Sequence, residues 1–139
     1  DNVLGLYSDN DTRALAYMML GSINSRLAKK SIFFGKIKNA AQIECFFLKA
    51  KELSPNLPEV HLGLGTFYLL APGIMGGSIS KAAEELGKAF EIAPSFATAN
   101  ARLAQLYKKK GDFKNYILYK QRAEEIDPEN EVLKELNRK

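Results

Sequence analysis

The sequence is poor in the residues from which disulfides and metal centres are built. It contains one cysteine, Cys45, and one histidine, His61, so it supports neither an internal disulfide nor a histidine-rich metal site. Apolar runs are short, and none approaches the roughly 18 residues that a membrane-spanning helix needs. Strand-like alternation is weak throughout. We therefore expect a soluble, helical protein without a metal or cofactor, and the sequence does not determine its compartment.

The overall composition is that of a globular domain. Apolar residues make up 46% of the chain and charged residues 26%. The length of 139 residues fits one domain, residues 1–139, with a core of its own. The 20 basic residues only slightly outnumber the 16 acidic ones, and this small excess does not indicate nucleic-acid binding. We expect no nucleic-acid partner.

Internal similarity is the main feature of the sequence. From about Thr12 onwards, apolar residues return at intervals of three and four, the spacing of one helix face. The stretches 54–70 and 93–109 resemble each other when their prolines are aligned. The matching pairs are Leu64 with Leu103, Gly65 with Ala104 and Tyr68 with Tyr107. Such similarity at a fixed period is typical of proteins built from stacked repeats.

A second similarity marks the end of each predicted helix pair. An alanine stands five residues before a proline in three places: Ala50 and Pro55, Ala89 and Pro94, and Ala123 and Pro128. A small residue allows two helices to approach closely, and a proline cannot continue a helix interior. The spacing predicts three helix pairs of similar design.

These residues resemble the tetratricopeptide repeat, a helix-turn-helix unit of about 34 residues that stacks into a superhelix. The resemblance implies an all-α, right-handed superhelix of antiparallel helix pairs, with about three repeats and a C-terminal solvating helix. The implied segments are 1–13 as the tail of a preceding helix, 14–55, 58–94 and 97–128 as repeats, and 129–139 as the terminal helix. Extra residues interrupt the first two repeats. With "GIMGG" before "KAAEELGKAFEI", these repeats are similar to those of TRAP-transporter T-components and of mitochondrial regulators of microtubule dynamics.

The resemblance also implies a non-enzymatic binding function. In this family the first helices line a concave groove that binds a peptide or partner protein. The positions carried over are Leu15, Met18, Met19, Ser22, Arg26, Glu59, Leu62, Gly63, Thr66, Leu69, Thr98, Ala101, Arg102, Gln105, Lys108 and Lys109. The groove would be apolar at its N-terminal end and basic at its C-terminal end. It would suit a peptide with apolar anchors and an acidic portion, because methionines adapt their shape and arginine pairs with carboxylates.

Two qualifications apply to this groove. The family's dicarboxylate clamp for chaperone C-termini is not expected, because only Arg102 is kept and Met18, Ser22 and Gly63 occupy the other clamp positions. The N-terminal segment of the chain could also cover some of the apolar groove residues. An interior-facing methionine is more often part of a core than of a site.

The stretch "APGIMGGSIS", residues 71–80, raises the alternative of a phosphate-binding loop. A Walker-type loop needs Gly-Lys-Ser/Thr at its end and a strand before it, and neither is present. We interpret the loop as a joint in which Gly73, Gly76 and Gly77 adopt positive φ and Ser80 caps the next helix. Further caps are predicted at Asn56, Asp112 and Asp127. Binding of an anion or small ligand at this loop is a distant alternative.

Residues 29–38 offer a different class of function, because lysines alternate there with Ile32, Phe33, Phe34 and Ile37. A basic and aromatic segment can lie on an anionic membrane surface. The other interpretation is an insert between helices whose aromatic side chains cover the core while its lysines stay in solvent. Membrane or lipid association is thus the alternative function.

No set of residues indicates catalysis. Cys45 and His61 lie on different predicted helices with no motif linking them. The carboxylates at 84–85 and 124–125 stand beside lysine and arginine, which is typical of solvated helix faces. The last repeat departs from the family pattern at Tyr116, and an uncovered Tyr116 and Tyr119 would form a self-associating face. A homo-oligomer is therefore a further alternative.

Overall fold

The fold is all-helical, as predicted. The computed structural model describes residues 9–28 and 33–138, and within them the chain forms seven α-helices, one 3-10 turn and no strand. The helices are α1 (Asp9–Ala28), α2 (Phe33–Leu53), α3 (Pro58–Leu70), α4 (Ile79–Ile92), α5 (Ala97–Lys110), α6 (Phe113–Ile126) and α7 (Glu131–Asn137). The 3-10 turn is Gly73–Met75, between α3 and α4. None of these helices is long and apolar enough to cross a membrane, in the part of the chain that the structure describes.

Consecutive helices pack as pairs, α1 with α2, α3 with α4 and α5 with α6. Helices α1, α3, α5 and α7 also contact one another in that order, and we call them the odd-helix row. Alanines explain the close approach within the pairs, because Ala50, Ala89 and Ala123 are each fully buried. The prolines at 55, 94 and 128 each stand two residues after the end of α2, α4 and α6. The alanine-proline spacing therefore does mark the end of each pair.

The first pair is longer than the others. Helices α1 and α2 have 20 and 21 residues, whereas α3 to α6 have 13 or 14. Most of the extra residues of the first repeat thus extend its helices instead of forming a separate insert. Residues 9–13, which were expected to end a preceding helix, are continuous with α1.

The loop between α3 and α4 is a joint, but its geometry differs from the expectation. Among the described residues only Gly76 and Gly111 have positive φ, at 93° and 75°, so the prediction for Gly73 and Gly77 is wrong. Gly77 is needed for a different reason: a Cβ there would lie 1.8 Å from the carbonyl oxygen of Ala71. The loop folds back on the end of α3, since the amide of Ser78 donates to the carbonyl oxygen of Tyr68 at 2.9 Å.

The helix caps agree with the prediction only in part. Asp112 does cap α6, accepting a hydrogen bond from the amide of Asn115. Helix α4 is capped by Ser78, which accepts from the amide of Lys81, and not by Ser80. Helix α7 is capped by Asn130 in place of Asp127, whereas the N-cap position of α3 is Leu57 in place of Asn56 and has no capping side chain. The errors are of one to three residues, because several polar residues stand next to each helix start.

The core lies between the helix pairs. The largest cluster draws on α2 to α5 and includes Phe47, Leu64, Leu86 and Leu106. A second cluster joins α5, α6 and α7 around the fully buried Ala104. Tyr116 packs against this second cluster. Tyr119 stacks on Tyr107 with ring centroids 5.4 Å apart, so the two tyrosines do not form an uncovered face.

Candidate binding cavity

A cavity of about 760 Å³ opens on the odd-helix row. Side chains from α1, α2, α3 and α5 line it, together with the start of the loop after α3. Its walls are mostly apolar, and their main apolar members are Met18, Ala40, Ile43, Phe47, Leu62, Phe67 and Met75. Two arginines, Arg26 and Arg102, and one acid, Glu59, also line it. We call this space the row cavity. A volume of this size is typical of small-molecule pockets, which span about 300–1,000 Å³.

The structure brings together many of the residues that the resemblance placed in a groove. Those that line the row cavity are Met18, Ser22, Arg26, Glu59, Leu62, Gly63, Thr66, Thr98 and Arg102. Gly63 brings α3 close to α1, since a Cβ there would lie 2.2 Å from the methyl carbon of Met18.

Other predicted groove residues lie elsewhere. Leu69 is only 1% exposed and packs in the main core cluster, and Ala101 is fully buried in the cluster of α5, α6 and α7. The prediction of these two as partner-binding residues is therefore wrong, because neither side chain is accessible. Leu15 and Met19 do not line the cavity, and Met19 is 66% exposed on the outside of α1.

The predicted basic end of the groove is also separate from the cavity. Gln105, Lys108 and Lys109 do not line it. Lys109 Nζ donates to the carbonyl oxygen of Leu69 at 3.1 Å, and Lys108 Nζ lies 5.6 Å from the centre of the Tyr116 ring. These lysines pack beside the ends of neighbouring helices, while the positive charge at the cavity comes from Arg26 and Arg102.

The second helix of the first pair contributes a wall that the sequence analysis missed. Ala40, Ile43 and Phe47 of α2 line the cavity, although only first helices were expected to do so. Their spacing of three and four places them on one helix face, which is a signal that the sequence does contain. Phe47 reaches the row because Gly21 on α1 leaves room, since a Cβ at Gly21 would lie 2.4 Å from its ring.

Arg102 is nearly enclosed at the α5 side of the cavity, with its side chain 14% exposed. Its Nη1 donates to Gln105 Oε1 at 2.7 Å and lies 3.5 Å from Glu135 Oε2 on α7. Burial lowers the pKa of Arg102, although Glu135 opposes that effect. Its Nε is buried and has no hydrogen-bond partner. Both contacts, with Gln105 and Glu135, are made by Nη1.

Glu59 has a buried acceptor without a partner, as Arg102 has a buried donor without one. It lies in the first turn of α3, and its Oε2 is a buried acceptor without a partner. Thr98, in the first turn of α5, is already paired, because its Oγ1 accepts from Asn130 Nδ2 at 3.0 Å. A buried polar atom without a partner costs about 1–3 kcal/mol. Residues lining one cavity therefore carry one unpaired donor and one unpaired acceptor.

His61 belongs to a buried polar network instead of a reactive site. Its Nδ1 lies 2.7 Å from Glu85 Oε2, and its Nε2 lies 2.7 Å from the carbonyl oxygen of Pro55. Lys51 Nζ donates to the other oxygen of Glu85 at 2.6 Å. Both ring nitrogens thus already have a hydrogen-bond partner within the protein. Glu85 was expected on a solvated face, but it is 6% exposed, so that prediction is wrong.

The remaining candidate groups are not brought together. Cys45 is exposed on α2 and is not part of the His61 network. Within residues 9–28 and 33–138, no group of three or more His, Cys, Asp and Glu could hold a metal ion. The proposed membrane segment lies largely outside the described residues, which exclude residues 29–32 and the side chains of 33–37. The N-terminal segment proposed to cover the groove falls there as well, for residues 1–8.

Comparison of the sequence with protein-family models and with curated proteins finds no match in either set. The resemblance to the tetratricopeptide repeat therefore stays a prediction.

Proposed function

We propose that this chain is a non-enzymatic binding module whose row cavity receives an apolar side chain of a peptide or partner protein. In this proposal the three helix pairs are tetratricopeptide-like repeats stacked in a right-handed superhelix, and the odd-helix row is its concave face. The observation that carries the proposal is the cavity of about 760 Å³ between α1, α2, α3 and α5. Clefts between helices are a preferred place for binding sites.

The chemistry of the walls supports an apolar ligand. Phe47, Leu62 and Phe67 give the cavity an apolar surface, and burying such surface against a ligand contributes about 25 cal/mol per Å². Met18 and Met75 lie among them, and unbranched methionine side chains can adapt to ligands of different shape. This combination is common in grooves that bind amphipathic peptides.

The ligand needs less acidic character than the sequence suggested. Lys108 and Lys109 do not line the cavity, so the predicted basic end of the groove is not continuous with its apolar walls. The charges that do line the cavity are Arg26, Arg102 and the opposing Glu59. We propose an apolar anchor as the main determinant of affinity, with polar contacts at its edge.

A small apolar molecule is the second candidate. The observation that favours it is again the volume, because about 760 Å³ lies within the range of cavities that enclose drug-sized ligands. The two candidates share the cavity and differ in whether the ligand continues onto the surface of the odd-helix row.

Selection from a random peptide library displayed on phage tests the first candidate. The tightest peptide is synthesised, and its Kd is measured by isothermal titration calorimetry for the native chain and for Thr66→Phe. Thr66 lines the cavity, so a phenylalanine there occupies the proposed anchor site. We expect the Kd to rise at least about tenfold.

Ile117→Phe is the matched control, because Ile117 is 52% exposed on α6 and does not line the cavity. It should leave the Kd within about twofold of the native value. Equal binding by the native chain and Thr66→Phe would contradict the proposal. If no peptide is selected, but a small apolar probe binds the native chain and fails to bind Thr66→Phe, the second candidate is correct.

A further inference from the structure

An apolar stripe runs along the outer face of α1. Four large side chains of this helix are each between 44% and 66% exposed, namely Met19, Leu20, Ile23 and Leu27. Ala16, which is also exposed, extends the row by one turn. Because an α-helix advances about 100° per residue, all five lie within about 100° of its circumference. They lie opposite the face on which Ala14 and Gly21 are buried, and we call them the α1 stripe.

The first and last helix pairs differ in how their apolar surface is covered. At the last pair, α7 packs against α5 and α6, and its Val132, Leu133 and Leu136 are buried there. At the first pair the α1 stripe is exposed. Outer faces of terminal repeats are normally polar, and a contiguous exposed apolar patch marks an interaction surface. The stripe therefore has the character of a surface that packs against a further helix.

We propose that the α1 stripe is a homodimer interface, in which α1 packs antiparallel against α1 of a second copy of this chain. This inference does not depend on the proposed function, because all five stripe residues lie outside the set that lines the row cavity. It also differs from the self-association that the sequence suggested at Tyr116 and Tyr119, since both of those tyrosines pack against the core.

The spacing of the stripe fits it to itself. Its members Ala16, Leu20, Ile23 and Leu27 follow one another at intervals of four, three and four, which is the heptad spacing of paired helices. These intervals are the same in both directions, so a reversed copy presents the same pattern. Around a two-fold axis between Leu20 and Ile23, Leu20 lies opposite Ile23 of the second copy. Leu27 lies opposite Ala16 of the second copy, so a large side chain meets a small one.

The charges of α1 favour the antiparallel orientation. The first turn of the helix carries Asp9 and Asp11, and its last turn carries Arg26. A parallel pair would bring the two acidic turns together and the two arginines together, and like charges at an interface oppose association. In the antiparallel pair, the acidic end of each helix lies on the same side as the basic end of the other. A second copy thus matches both the apolar spacing and the charge distribution.

Sedimentation equilibrium of the native chain, from about 5 to 500 µM, tests the inference. The stripe spans only a few layers of one helix, which is less than the roughly 1,200 Å² of stable interfaces, so we expect a Kd for dimerisation of about 10–100 µM. Ile23→Glu places a charge next to the two-fold axis and should raise that Kd at least about tenfold. A native chain that stays monomeric over the whole range overturns the inference.

Ile117→Glu is the matched control. Ile117 is 52% exposed on α6 and Ile23 is 51% exposed on α1, so the two variants make the same change at nearly equal exposure. Ile117→Glu should leave the Kd within about twofold of the native value. An equal loss of the dimer in both variants overturns the assignment to α1. Leu20→Glu, checked by its thermal melt, should act as Ile23→Glu does and serves if that variant fails to fold.

Cross-linking through introduced cysteines tests the antiparallel register. The native Cys45 is exposed, so the background is Cys45→Ser. The Ala16→Cys and Leu27→Cys variants, one of them labelled with ¹⁵N, are mixed in a glutathione redox buffer, and the linked dimers are identified by mass spectrometry. Antiparallel pairing predicts disulfides mainly between the two variants. Disulfides mainly within each variant overturn the antiparallel interface, because they indicate a parallel pair.

A variant that lacks residues 1–8 separates the second copy from a different occupant, the start of the same chain. If the native chain is monomeric and the shortened chain dimerises, that segment covers the stripe and the inference is wrong. If both dimerise with similar Kd and Ile23→Glu weakens both, the second copy is the occupant. These experiments measure mass instead of ligand binding, so their failure leaves the peptide test of the row cavity unaffected.

Discussion

At the scale of single residues, His61 shows most clearly that a residue's role depends on contacts that its type alone does not reveal. A lone histidine in the sequence indicates no site, and the structure assigns it to a buried network with Glu85 and Lys51. The network joins α2, α3 and α4, so it fixes the second helix pair against the first. Burial alone would raise the pKa of Glu85, but hydrogen bonds from His61 and Lys51 outweigh it and hold that pKa below its ordinary value of 4.5.

This network predicts a loss of stability in acid. Because the pKa of Glu85 is lower in the folded chain, its contribution is complete above pH 4.5 and is lost as the pH falls through the folded value. Glu85→Gln should lower the free energy of unfolding at pH 7 by about 2 kcal/mol, since hydrogen bonds to charged groups contribute about 1.5–3 kcal/mol. The deficit should shrink in acid, which urea unfolding at pH 7 and pH 3 measures.

The neighbouring Glu84 supplies the control, because it is exposed on the same helix. Glu84→Gln should change stability little at either pH. A deficit for Glu85→Gln that is the same at pH 7 and pH 3 would show that the charge of Glu85 is not what stabilises the network.

Substitution of two glycines within helices, Gly65 and Gly87, should change the stability of the chain in opposite directions. A Cβ at Gly65 would lie 2.6 Å from Leu86 Cγ and 3.0 Å from the Leu86 backbone nitrogen, whereas a Cβ at Gly87 meets nothing within 4 Å. Gly65→Ala should lower the free energy of unfolding by about 1–3 kcal/mol through overpacking. Gly87→Ala should raise it by about 0.5–1 kcal/mol through helix propensity. Thermal or urea unfolding measures both, and a stabilised Gly65→Ala would mean that α3 and α4 are not in close contact there.

At the scale of elements, the sequence predicts the helix pairs better than their boundaries. The spacing of alanine and proline reflects helix contact and helix termination, and both depend on residues near in sequence. Cap positions depend on which of several adjacent polar side chains reaches the amides, so Ser78 and Asn130 replace the predicted Ser80 and Asp127. The length of α2 was mispredicted because residues 33–40 were interpreted as part of an insert, whereas they form the first two turns of that helix.

At the scale of elements, the loop between α3 and α4 allows a test of the fold through the stability of two glycine variants. Gly77→Ala should destabilise the chain by about 1–3 kcal/mol, because its Cβ would meet the Ala71 carbonyl oxygen, a backbone atom that cannot rotate away. Gly73→Ala, in the same loop, should change stability by less than about 0.5 kcal/mol, since a Cβ there meets nothing within 4 Å. Urea unfolding of both variants is the measurement. Equal effects at the two positions would contradict the close return of the loop onto α3.

At the scale of the whole molecule, part of the cavity was predictable and part was not. The first-helix positions could be carried over from the repeat resemblance, and Met18, Leu62 and Arg102 do meet at one cavity. The wall from α2 could not be carried over, because it depends on the packing of a longer first pair. Leu69 is an error of the other kind, a residue predicted in the groove that lies in the core. It is on the first helix of its pair, but its side chain packs in the main core cluster.

The central claim is that the row cavity is the binding site, and the methionines allow the most direct test of it. The chain has three methionines, of which Met18 and Met75 line the cavity while Met19 is exposed outside it. The measurement is an NMR titration of the chain labelled with ¹³C at the methionine methyl groups, using the peptide selected by phage display. The account predicts that the signals of Met18 and Met75 shift together and saturate at the Kd, while that of Met19 stays in place. A saturable shift of Met19 alone, or binding that moves none of the three signals, would contradict it.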